Sequence, residues 1–71
     1  MKVTIRSGEE YIKLGQALKK AGLVDSGVEA KICIQGGEVK VNGEVDERRG
    51  RKLYGGETIE FAGKSLIVEK G

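Results

Sequence analysis

Five consecutive residues, Arg48-Arg49-Gly50-Arg51-Lys52, hold four of the chain's thirteen cationic side chains. Guanidinium groups form bidentate hydrogen bonds to phosphate, and several on one loop can follow the backbone of a polyanion. Gly50 lets that loop bend, so its cations need not all point one way. Such a run is also the pattern of a solvated surface loop. On charge alone, RNA binding and docking to an acidic protein stand level. Other chemistry finds little material. The chain has no histidine, so no Ser–His or Cys–His pair exists and the commonest general base is missing. Gly63-Lys64-Ser65 imitates the end of a phosphate-binding loop, but Thr58 stands where that motif's first glycine belongs. The eleven carboxylates are scattered singly or on helix starts. Cys33 is the one cysteine, which rules out an intramolecular disulfide and a histidine–cysteine zinc site. The expectation is a non-catalytic chain with no metal, cofactor or small-molecule substrate.

Net charge is only +2, but it is unevenly placed. Residues 1–47 carry seven cationic groups against eight acidic, and residues 48–71 carry six against three. A local anion-binding surface in the second part follows from that layout. No apolar run approaches the roughly 18 residues a membrane span needs. The amino-terminal stretch alternates and soon meets Glu9 and Glu10, unlike a signal peptide. With one free thiol, a cytoplasmic protein is expected.

These cations need a scaffold, and 71 residues are enough for one domain spanning 1–71. A chain of this size buries only about 60% of its unfolded surface, so the core must come from aliphatics. Lys2 to Ser7 alternates with Val3 and Ile5 on one side, which predicts a strand. Ser7 with Glu10 forms a capping-box pattern that predicts a helix from there to about Ala21. Its apolar face is Tyr11, Leu14, Leu18 and Ala21, with Lys13, Gln16 and Lys20 behind. Gly15 on the apolar face predicts close approach of another backbone.

Ser26 with Glu29 is a second capping box, opening a helix from Gly27 to Gln35. Ala30, Cys33 and Ile34 form one apolar group, and Val28 and Ile32 lie nearly opposite. That distribution predicts a helix buried between other elements, with Lys31 and Gln35 on the open edge. Gly36-Gly37 stops it. Val39 and Val41 flank outward Lys40, and Asn42-Gly43 is a type I′ hairpin signal. Asp46 to Gly50 reads as an exposed loop. Tyr54, beside Leu53, reads as packing rather than as a base-stacking ring. Thr58–Phe61 and Ser65–Glu69 close a last hairpin about Ala62-Gly63.

Taken in order, Ser26-Gly-Val-Glu-Ala-Lys31, Ile32 to Gly37, Val39-Lys-Val-Asn-Gly43, Arg48-Arg-Gly-Arg-Lys52 and Gly55-Gly-Glu-Thr-Ile59 resemble the S4-like (alpha-L motif) RNA-binding domain. The resemblance spans residues 8 to 61, and the whole chain is most similar to small stand-alone bacterial members of the YbcJ/YaaA type. It implies an α+β fold with two helices packed on a small, bent, mainly antiparallel sheet. It also implies binding of structured RNA, with ribosomal or transfer RNA as candidates, through a positive face. By position, Lys31 matches a cation of the second helix, and Lys40 with the Arg48 to Lys52 run matches the hairpin side. Gly27 and Tyr11 stand where many members carry arginine, which shifts contact weight to Arg48, Arg49, Arg51 and Lys52. Lys13 and Lys20 lie at the margin of the expected patch. Shape recognition of a stem is expected over base reading, because few aromatics are available. The alternative is a protein-interaction adaptor that offers the same basic surface to an acidic partner, and DNA ranks third. The RNA, the pathway and the oligomeric state are left open.

Overall fold

The computed structural model describes residues 1–71. In chain order the elements are β1 (Lys2–Ile5), β2 (Ile12–Lys13), α1 (Leu14–Lys20), α2 (Gly27–Gln35), β3 (Val39–Val41), β4 (Glu44–Val45), β5 (Lys52–Leu53), β6 (Thr58–Phe61) and β7 (Lys64–Lys70). Five strands form one sheet in the order β1-β7-β6-β3-β4, and β2 with β5 forms a separate two-stranded ladder. Only β1 with β7 is parallel, so the sheet is mixed and mostly antiparallel. The fold is α+β. No helix is long and apolar enough to cross a membrane.

Strand alternation sends Val3, Ile5, Val39, Val41, Ile59, Leu66 and Val68 inward, where all are buried. Leu14, Ala17 and Leu18 of α1 and Ala30 and Ile34 of α2 meet them from the helical layer. Each fully buried aliphatic side chain of this kind contributes roughly 1.5–3 kcal/mol. Cys33 is half-buried against the same core, and burial pushes its thiol above the ordinary value, with Glu38 and Glu29 adding to the effect.

Local chemistry sets the hairpins and helix ends. Asn42 and Gly43 both have positive φ, 52° and 84°, as the type I′ turn demands. Asn42 also exchanges bonds with Thr58: its amide donates to the Thr58 carbonyl at 2.8 Å, and its Oδ1 accepts the Thr58 amide at 3.0 Å. The turn residue therefore stitches β3 to β6. Helix α2 starts where expected, with Ser26 Oγ accepting the Glu29 amide at 3.1 Å. The Glu29 carboxylate, however, takes the Asp25 amide at 3.2 Å in place of the Ser26 amide that a full capping box requires. It stops at Gly37, where the Glu38 amide reaches back to the Cys33 carbonyl.

Four expectations need correction. Helix α1 begins at Leu14, seven residues after Ser7, and the Ser7–Glu10 capping box does not form. Residues Ile12 and Lys13 instead pair with Leu53 and Lys52. The first amides of α1 are satisfied by loop carbonyls, Leu14 N–H by Arg51 at 2.9 Å and Gly15 N–H by Arg49 at 3.1 Å. Gln16 Oε1 takes the Lys13 amide at 3.1 Å. With those donors paired across the fold, extending the helix back through Gly8 gains nothing. The second correction concerns α2, which packs by one face only: Val28 is 68% and Ile32 64% exposed. Third, Asp46 is not on an exposed loop, since only 5% of it is accessible. Fourth, Tyr54 is 53% exposed and is no packing anchor.

Candidate nucleic-acid interface

The basic run is organised from its buried end. Asp46 Oδ1 accepts the Arg48 amide at 2.9 Å and Arg48 Nε at 3.1 Å. Its Oδ2 accepts Arg48 Nη2 at 2.9 Å and Arg51 Nη1 at 2.7 Å. The hydrogen bonds from Arg48, reinforced by Arg51, hold this carboxyl far below the usual carboxylate range despite burial. Asp46 in turn raises the Arg48 guanidinium above its ordinary value. One carboxylate therefore neutralises part of the charge on two arginines. Arg51 is mainly internal, its side chain 29% exposed, whereas Arg48 stays open to solvent.

Arg49 is held differently. Its carbonyl caps α1 through Gly15, and its side chain lies over that glycine so closely that a Cβ there would come within 2.9 Å of Arg49 Cγ. The close approach expected at Gly15 is thus made by Arg49, which comes to rest between the helices. There it borders a cleft of about 300 Å³. Lys13, Gln16 and Lys19 line one side, the start of α2 at Gly27 and Ala30 another, and Arg49-Gly50 the third. No carboxylate lines the cleft, and Lys13, Lys19 and Arg49 make no ion pair with any acid. Glycines on all three sides keep its walls low, so a phosphate backbone can come close.

Lys52 sits beside the cleft, opposite Lys13 in the β2–β5 ladder. Like charges directly opposite in an antiparallel pair repel, so an anion bound between them would relieve the repulsion. Lys52 Nζ also lies 5.0 Å from the centre of the Tyr11 ring. The remaining expected residues do not gather here. Lys31 is exposed on α2 outside the cleft lining. Lys40 points from the outer face of β3, opposite Glu60, in a separate hollow that also contains Glu38. Lys20 donates from Nζ to the Thr4 carbonyl at 2.8 Å.

Lys19 is the residue that sequence reasoning missed. A continuous helix through Lys13 groups Lys13 with Lys20, two full turns on. Lys13 is instead extended, with ψ 150°, so its side chain leaves the helical phase and faces the cleft with Lys19. The available signal was Gln16 with Lys19, three residues apart on one helix face.

Three comparisons bear on this geometry. The family model described as the S4 domain matches residues 3–69. YbcJ of Escherichia coli is 43% identical over 58 residues, covering 82% of this chain and 83% of the relative. The "Probable ribosome maturation protein RlbA" of Bacillus subtilis is 52% identical over 54 residues, 76% of each chain. The solution structure of YbcJ from E. coli, which reveals an alfaL motif involved in RNA-binding, matches with a TM-score of 0.72 at 37% identity. That match covers 96% of this chain and 85% of the other.

Proposed function

This chain belongs to the S4 domain family, and from that premise we propose that it is a non-catalytic, cytoplasmic module that binds structured RNA. The observation that carries the reading is the carboxylate-free cleft with three unpaired cations, Lys13, Lys19 and Arg49. Phosphates of a stem seat in that cleft. Lys52 and the open side of Arg48 extend the grip at one end, and Lys31 extends it along α2. Arg51 acts mainly through Asp46, by fixing the loop. Lys40, among Glu38 and Glu60, and Lys20, engaged with Thr4, contribute least. The alfaL motif of YbcJ supports RNA as the class of ligand, and the name of RlbA makes ribosomal RNA the first to test.

Binding should fall with salt by roughly 0.7 to 0.9 log units per log salt for each phosphate contacted. The test is a salt titration of affinity for ribosomal RNA stem-loops, with wild type beside Lys13→Ala/Lys19→Ala/Arg49→Ala. The triple variant should bind more weakly and with a shallower salt slope, while Lys40→Ala changes little. A flat response in the wild type, with a protein partner retained after nuclease treatment, would replace RNA by an acidic protein.

A further inference from the structure

We propose that Tyr54, braced by Tyr11, is a platform on which one unpaired nucleobase stacks at the end of the cationic cleft. The site would add recognition of a bulged or looped base to the phosphate contacts, and it rests on the RNA-binding reading above. Tyr11 and Tyr54 immediately flank the paired residues Ile12 and Leu53 at one end of the β2–β5 ladder. Their rings meet edge to face, with centroids 5.9 Å apart and planes at 60°. Neither ring belongs to the core cluster. An aromatic that serves packing buries its faces, whereas Tyr54 keeps more than half of its surface in water. The backbone beneath it is fixed, because the amides of Tyr54 and Gly55 both donate to the Glu57 carboxylate at 2.8 Å. An open ring on a fixed support is preorganised for stacking, and little ordering entropy is lost on binding.

The surroundings of the bracing ring, Tyr11, favour a base over a phosphate. Tyr11 borders a hollow with Lys13, Gln16, Glu9 and Glu10. The carboxylates repel phosphate, while the mixture of donors and acceptors suits a base edge, which carries both. Lys13 and Gln16 line this hollow and the cleft alike, so one strand of RNA can run from one to the other. Lys52, over the Tyr11 ring, is placed for the phosphate of the stacked nucleotide.

The test uses two RNA hairpins, identical except for one bulged 2-aminopurine in the first, with affinity read by anisotropy and stacking by fluorescence quenching. Wild type should favour the bulged hairpin about tenfold and quench it. Tyr54→Leu should lose the preference and the quenching while keeping its affinity for the paired hairpin, which also serves as the folding control. Tyr54→Phe should retain both. Lys19→Ala/Arg49→Ala, which lie in the cleft and outside the hollow, should weaken both hairpins equally. Equal loss on both hairpins by Tyr54→Leu, or a preserved preference, would overturn the platform alone. Failure of wild type to bind either hairpin would overturn the RNA reading and the platform together.

Discussion

Asp46 shows how one side chain can restrict an apparently free basic loop. Four donors converge on its carboxylate, and removing the charge leaves Arg51 mainly internal without a counter-charge. Asp46→Asn should therefore cost about 1–3 kcal/mol, measured by urea unfolding at neutral pH. The same group sets an acid limb. Its folded-state pKa lies below the unfolded value of about 4, so its contribution is complete above that range and fades as pH falls through it. Wild-type stability should drop between about pH 4 and the lower end of the acid range, and the asparagine variant should show a flatter profile there. The charge run itself was plain in the sequence. The carboxylate two residues ahead of it was equally visible, but its burial depends on the fold closing over it, and nothing local signals that.

At the scale of elements, legibility followed the range of the interactions. Helix α2 and the Asn42-Gly43 hairpin were readable to the residue because their caps and turn bonds join neighbours. The start of α1 was not, since it depends on a ladder and two carbonyls supplied from residues 49 to 53. Exposure of Val28 and Ile32 was also unreadable, because periodicity cannot say which of two apolar faces finds a partner. The α1–loop junction allows a direct test at Gly15. Alanine gains about 1 kcal/mol of helix propensity, yet its Cβ would push Arg49 from its seat. Gly15→Ala should thus shift the unfolding midpoint little while lowering RNA affinity severalfold. Parallel urea unfolding and salt-controlled binding measurements would check this.

Over the whole molecule, charge is sorted by face more than by sequence segment. The difference between the two parts of the chain suggested one basic surface drawn mostly from the second part. In the fold, Lys13 and Lys19 from the first part join Arg49, while Lys40 lies among acids on the sheet's outer face. Sorting of this kind requires tertiary placement, so the composition could indicate an anion-binding surface without outlining it. A comparison of Lys19→Ala with Lys40→Ala isolates the effect at constant net charge. Lys19→Ala should reduce RNA affinity and its salt slope by about one contact, with Lys40→Ala close to wild type in the same titration.

The bond from Lys20 to Thr4 reaches beyond nucleic acid. The carbonyls of Met1 and Ile5 accept the amides of Ile67 in β7 and of Gly71 just beyond it, so that of Thr4 faces the open edge of β1. An unguarded strand edge is a template for a strand from another molecule, and a lysine laid across it is a known deterrent to aggregation. Lys20→Ala should leave the chain folded yet more prone than wild type to concentration-dependent self-association, visible by sedimentation velocity as the protein is concentrated.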